Sequence, residues 1–192
     1  MKMAKQFSSI TNPELIQMIN SGAIGVIPTD TVYGLVGAAN IEPAIKKLYS
    51  VKSRKRQPGT TIAASPSQLI ALGFPADKVI TGKKYWPNAI SIEMSALAIP
   101  DYLSAGQQVM AARIPQHDEL ITLLNATGPL MTTSANKPDA PTSTTISQAI
   151  DYFGDEVDFY VDGGDLENRP PSTIIGFNGD EIIVYRQGAV KI

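Results

Sequence analysis

The side chains able to do chemistry here are hydroxyls, amides and cations gathered in short clusters. Thr29-Asp30-Thr31 stands with Tyr33, and Lys52-x-Arg54 with Arg56. Thr132-Thr133-Ser134-Ala135-Asn136, Thr142-Ser143-Thr144-Thr145 and Ser172-Thr173 follow. Arg113 and Arg186 each end an expected strand. Cations neutralise a polyphosphate, and hydroxyls beside them aim hydrogen bonds at developing oxyanions, so the set suits phosphate chemistry with magnesium. Each cluster also has a structural reading. Thr144 or Thr145 can cap a helix starting near Ile146, the basic residues can sit at a helix end, and the arginines can form structural ion pairs.

Other chemistries find little support. The one histidine, His117, has no Gly-x-Ser-x-Gly elbow to serve, so a Ser-His-Asp triad is disfavoured. With no cysteine, a zinc ion would have only carboxylates beside that histidine, and no metal-ligating protein residue is expected. His117 reads as a polar residue near a helix cap. Neither Gly-x-x-x-x-Gly-Lys-Ser/Thr nor a strand followed by Gly-x-Gly-x-x-Gly occurs, so any phosphate is held without a P-loop.

Net charge is −2, which argues against a dedicated nucleic-acid binder, but the distribution is uneven. Residues 46–56 carry six cations, Lys46, Lys47, Lys52, Arg54, Lys55 and Arg56, and no acid lies between Glu42 and Asp77. An acidic chain with one basic segment has the charge pattern of a local anion site. At 192 residues and 43% apolar, the chain can bury a core as one domain over 1–192. The missing cysteines exclude a disulfide framework and make the cytoplasm the expected compartment. Lys2 and Lys5 precede no long apolar stretch, so neither a signal peptide nor a membrane span is expected.

The elements that must position these clusters read as alternating helices and strands. Thr11-Asn12-Pro13-Glu14 looks like a capped helix start, and Ser21-Gly22 ends that helix. Residues 23–28 read as a buried strand, and the hydroxyl-rich segment 29–35 follows its end, where ligands collect in α/β sheets. A helix over 43–51 carries the first of the basic residues, and Lys52 onward is a polar loop stopped by Pro58-Gly59. Strands are expected at 60–64, 90–94, 109–113, 130–132, 158–161, 173–177 and 181–185, and helices at 67–72, 117–125 and 146–152. Asn178-Gly179 marks a hairpin between the last two strands. The sum is an α/β fold with a mixed sheet.

Six pieces occur in a fixed order: Pro28-Thr29-Asp30-Thr31-Val32-Tyr33-Gly34-Leu35, Lys52-x-Arg54, Arg113-Ile114-Pro115, Ser134-x-Asn136, Pro171-Ser172-Thr173-Ile174 and Arg186-x-Gly188. Over about residues 22–188 the chain resembles the YrdC-like family, in the short form that lacks an extra C-terminal domain. The resemblance implies a twisted mixed, largely open sheet flanked by helices. It implies a nucleotidyltransferase forming threonylcarbamoyl-AMP and pyrophosphate from L-threonine, bicarbonate and ATP, for modification of adenosine 37 in tRNA. Lys52, Arg54, Ser134 and Asn136 would then carry catalysis. Thr29, Thr31, Tyr33, Arg113, Ser134 and Ser172 would bind threonine. Lys52, Arg54, Arg56, Ser134, Asn136, Thr144, Arg186 and the backbone at Val109 would bind ATP. Mg2+ would ride on the ATP phosphates. Hand-off to the tRNA-modifying complex and RNA or tRNA contact through the basic segment are further expectations. The alternative within the family is a double-stranded RNA-binding protein without adenylate synthesis.

Two stretches depart from the family pattern. Pro58-Gly59-Thr60-Thr61-Ile62-Ala63-Ala64 stands where many members have Pro-Leu-Ile-Val-His, and Trp86-Pro87-Asn88-Ala89 replaces Trp-Pro-Gly-Pro.

Overall fold

Apolar runs alternating with turn residues give this chain short strands, the interior ones buried beneath packed helices and the edge strands left exposed. The structure, a computed structural model, describes residues 3–53, 58–167, 169–179 and 181–192. Its strands are β1 (Lys5–Phe7), β2 (Gly25–Ile27), β3 (Gly34–Ala38), β4 (Thr60–Ile62), β5 (Ile90–Ser95), β6 (Val109–Arg113), β7 (Leu130–Ser134), β8 (Phe159–Val161), β9 (Thr173–Asn178) and β10 (Glu181–Arg186). Its helices are α1 (Pro13–Asn20), α2 (Glu42–Val51), α3 (Pro66–Ala71), α4 (Ala76–Gly82), α5 (Asp101–Ser104), α6 (Asp118–Thr127) and α7 (Ile146–Phe153).

All the strands join one open sheet in the order β1-β8-β2-β3-β7-β4-β6-β5-β9-β10. Parallel pairs (β1 with β8, β4 with β6, β5 with β9) are interleaved with antiparallel ones (β2 with β3, β3 with β7, β9 with β10), as a mixed sheet requires. Successive strand residues point to opposite faces. Val26, Leu35 and Tyr160 therefore join one apolar cluster, while Ile27, Val36 and Phe159 join another. Leu15 and Ile19 of α1 and Leu120, Leu123 and Leu124 of α6 fill the second cluster. Helices α2, α3, α4 and α7 supply the first. Burial on both faces explains why β2 and β3 read as runs without a polar side chain.

The expected helix start is realised: Asn12 Oδ1 accepts the amides of Glu14 at 2.9 Å and Leu15 at 3.4 Å, with Pro13 in the first turn. The hairpin expected at Asn178-Gly179 joins β9 to β10, with Gly179 at a φ of 60°. Four elements add to the sequence reading. Strand β1 is three residues with little apolar content, and α4 and α5 are short helices following prolines. Strand β3 occupies Gly-Leu-Val-Gly-Ala, so Gly34 and Leu35 belong to a strand and not to the loop expected over 29–35. Its first glycine is required by close approach, because a Cβ on Gly34 would lie 2.5 Å from Thr132 Oγ1 on the neighbouring strand.

Candidate active site

The turn after β2 is built by its own hydroxyls. Thr29 Oγ1 donates to the Val32 carbonyl at 2.7 Å and accepts the Thr31 amide at 3.2 Å, which folds the chain back into β3. Both threonines are buried and face a cavity of about 400 Å³. Arg113 at the end of β6, Ser134 at the end of β7, Ser172 entering β9 and Arg186 at the end of β10 line the same cavity. The backbone comes close beside them at Gly59, where a Cβ would lie 2.3 Å from the Thr132 carbonyl oxygen and 2.6 Å from Met131 Sδ. The glycine in the departing Pro58-Gly59 stretch is thus fixed by packing against β7.

Arg113 makes the central ion pair. Its Nη2 donates to Asp30 Oδ1 at 2.8 Å, and both side chains are 4% exposed. A buried guanidinium needs such a partner, because desolvating an unpaired charge costs several kcal/mol. Arg113 Nη1 also donates to Ser91 Oγ at 3.3 Å. Ser91 Oγ lies 2.9 Å from Ser172 Oγ, and Arg186 Nη2 reaches the Ser172 carbonyl at 2.8 Å and its hydroxyl at 3.3 Å. A continuous polar chain therefore joins the two arginines of the wall. Arg113 Nε and Asp30 Oδ2 are buried with no hydrogen-bond partner among the described residues, so this pair keeps unused donor and acceptor capacity.

Lys52 caps the C-terminus of α2 and is 4% exposed, so it is not the solvated loop residue the sequence suggested. Its ammonium donates to the Ser134 carbonyl at 2.7 Å, the Asn136 carbonyl at 2.6 Å and Asn136 Oδ1 at 2.5 Å. Ser134 Oγ donates to Asn136 Oδ1 at 2.7 Å, and Asn136 Nδ2 donates to the Ala140 carbonyl at 2.7 Å. Lys52 and the Ser-x-Asn piece, 82 residues apart at Ser134, thus meet in one corner beside the cavity. Arg54 and Arg56 lie outside the described residues.

Two expected contacts point elsewhere. The Tyr33 phenol is fully buried, donates to the Gly164 carbonyl at 2.8 Å and accepts the Gly163 amide at 2.9 Å. Burial pushes its pKa up, and Asp162 and Asp165 add to the rise against the lowering bond from Gly163. Tyr33 thereby ties down the segment leading from β8 towards Ser172, and it is not part of the cavity wall. The Thr144 amide donates to Gln148 Oε1 at 2.9 Å, and Thr145 caps α7 by accepting the Gln148 amide. Thr144 is likewise outside the wall, whereas Val109 lines it.

Ser91 and Glu93 were not among the expected site residues, and Asp30 stood in the Thr29-Asp30-Thr31 cluster without a role of its own, yet Asp30 and Ser91 hold Arg113 and Glu93 lines the cavity. The available signal was a hydroxyl and a carboxylate inside the apolar strand Ile90-Ser91-Ile92-Glu93-Met94. His117 caps α6, its Nδ1 accepting the Leu120 amide at 3.3 Å, as its sequence position suggested. Within the basic segment, Lys46 pairs with Glu42 and Lys47 with Asp158. Among the described residues, no helix is long and apolar enough to cross a membrane.

Comparison with known proteins places these features. Residues 17–188 match the Sua5–YciO–YrdC family profile, described as telomere recombination. A Pseudoalteromonas translucida protein named threonylcarbamoyl-AMP synthase is 31% identical over 166 residues, covering 83% of this chain and 89% of that one. A solved structure of a substituted P. abyssi Sua5 superposes with a TM-score of 0.85 at 25% identity, over 97% of this chain and 57% of the other. E. coli YciO shares the fold end to end, with a TM-score of 0.83 at 20% identity over 98% of both chains. The chain belongs to the Sua5–YciO–YrdC family.

Proposed function

We propose that this chain is an L-threonylcarbamoyladenylate synthase, serving the threonylcarbamoyl modification of adenosine 37 in tRNA. The carrying observation is the convergence of Thr29, Arg113, Ser134, Ser172 and Arg186 on one cavity, with Lys52 behind Ser134. The 31% identical relative named for this activity supports the reading.

The reaction is a nucleotidyl transfer. The threonine amine captures carbon dioxide derived from bicarbonate and loses a proton, giving a carbamate. A carbamate oxygen attacks the α-phosphorus of ATP, the bond to the bridging oxygen breaks, and pyrophosphate leaves. The carbamate is already an oxygen nucleophile, so the protein's tasks are alignment and charge neutralisation. Arg113 receives the threonine carboxylate on its forked guanidinium, whose orientation Asp30 fixes. Thr29 and Ser172 contact threonine, with Thr31 shaping that end of the cavity. Ser134 sits between threonine and the phosphates, while Lys52, Asn136, Arg54, Arg56 and Arg186 serve the nucleotide. Tyr33 contributes by holding the Gly163-Gly164 segment, and Thr144, bonded to Gln148, is left without a direct nucleotide contact.

Magnesium accompanies ATP and neutralises its phosphates. The wall suits an ion that prefers oxygen, since it presents hydroxyls and Glu93, and the buried Thr133 Oγ1 has no partner among the described residues. Work in the cytoplasm and a transient hand-off of the adenylate to the tRNA-modifying complex belong to the same proposal. Duplex-RNA binding alone is the competing reading. A concave site built from Arg113, Ser134 and Ser172, which gripping an RNA backbone would not need, favours the enzyme.

The test mixes the protein with ATP, magnesium, bicarbonate and L-threonine and follows pyrophosphate. Release that depends on threonine is expected. Failure to bind ATP or threonine, together with salt-sensitive binding of duplex RNA, would reject the enzyme.

A further inference from the structure

The polar chain between the two arginines has a direction that hydrogen counting fixes. A serine hydroxyl offers one donor hydrogen and two acceptor lone pairs. Ser91 is fully buried and does not line the cavity. It already accepts from Arg113 Nη1 at 3.3 Å, and Ser172 Oγ is its other partner, at 2.9 Å. If Ser172 donated to Ser91, the Ser91 hydrogen would be buried with no acceptor among the described residues, an arrangement proteins avoid because it costs the full desolvation of the group. Ser91 must therefore donate to Ser172.

Ser172 then accepts twice, from Ser91 and from Arg186 Nη2 at 3.3 Å. Both of its lone pairs are used. The remaining hydrogen belongs to a residue that lines the cavity, so Ser172 faces the ligand as a donor and not as an acceptor.

We infer that Ser91 is a positioning residue: it orients the Ser172 hydroxyl as a donor toward an oxygen acceptor of the amino-acid substrate, and so sets specificity for an anionic group there. The inference rests on the proposed synthase reading. It gives β5 a part in recognition through a side chain that touches no substrate.

The test is steady-state pyrophosphate release by the full chain, with threonine and ATP varied separately. Ser91→Ala is expected to raise the KM for threonine roughly tenfold, the weight of a hydrogen bond to a charged group, and to leave the KM for ATP within about twofold. Ser172→Ala should do the same, and the double variant should exceed Ser172→Ala by no more than about twofold, because both act through one hydroxyl. Ser91→Cys keeps the size with a weaker donor, so it should give an intermediate KM and remains readable if Ser91→Ala does not fold. Multiplicative losses in the double variant, an equal rise in the KM for ATP, or unchanged threonine KM in both Ser91 variants would overturn the inference. Wild-type protein that releases no pyrophosphate with threonine overturns the synthase reading and this inference with it, a result distinct from an active enzyme indifferent to Ser91.

Discussion

The two arginines of the cavity wall stand in opposite settings. Arg113 sits at the end of an interior strand, is buried, and is clamped by the equally buried Asp30. Arg186 ends the edge strand β10, whose residues are all exposed, and it reaches back to the carbonyl and hydroxyl of Ser172. The interior cation is therefore tied to the fold as much as to the ligand, while the edge cation is held at the surface. The same guanidinium group should fail in different ways at the two places.

Substitution makes that contrast measurable. Arg113→Ala leaves Asp30 buried without its partner, and urea unfolding should show a loss of about 3–5 kcal/mol. Removing Asp30 as well should return part of this, since no isolated charge is then buried; a double variant as unstable as Arg113→Ala would break the comparison. Lys52→Ala strands the carbonyl oxygens of Ser134 and Asn136, and should lower stability by about 1–3 kcal/mol while turnover is lost. Tyr33→Phe should cost about 1 kcal/mol, from the two bonds to Gly163 and Gly164. The Tyr33 phenol has a folded pKa above its ordinary 10.0, so its contribution is complete below that pH and fades as pH rises through the folded value. Tyr33→Phe should accordingly flatten alkaline unfolding curves. Arg186→Ala should cost less than these, about 0.5–1 kcal/mol for its partly exposed bonds to Ser172, yet weaken ATP use in the pyrophosphate assay. A large loss of stability there would show that the edge is as structural as the interior.

The sequence displayed the fold class because helix caps and buried runs are local. Asn12-Pro13-Glu14, Asn178-Gly179 and His117 each act within a few residues of themselves. It displayed the Lys52, Arg113, Ser134 and Ser172 positions through ordered motifs, since loops at strand ends carry recognisable residue types. It did not display how these side chains face. Tyr33 lies two residues from Thr31, a spacing that would share one face of a strand, yet the non-strand turn before β3 leaves it bonded to Gly163 and Gly164 instead of facing the cavity. Asp30 and Ser91 are 61 residues apart, and only the sheet order makes both neighbours of Arg113. Pairings of that kind are set by tertiary structure and leave no short-range pattern.

The strand order carries a consequence for how the protein is made. Lys5 pairs with Phe159 and Ile90 with Thr173, so the sheet closes through contacts between remote parts of the chain. Such topologies fold slowly, because long loops must close before distant contacts reward them. The cavity wall draws on β4, β5, β6, β7, β9 and β10, so it does not exist in any half-assembled sheet. Substrate meets only finished molecules and then holds them in that state, by roughly 2.7 kcal/mol when it stands about a hundredfold above its Kd. Ligand protection against protease during refolding should consequently rise late and in one step, reporting closure of the sheet itself.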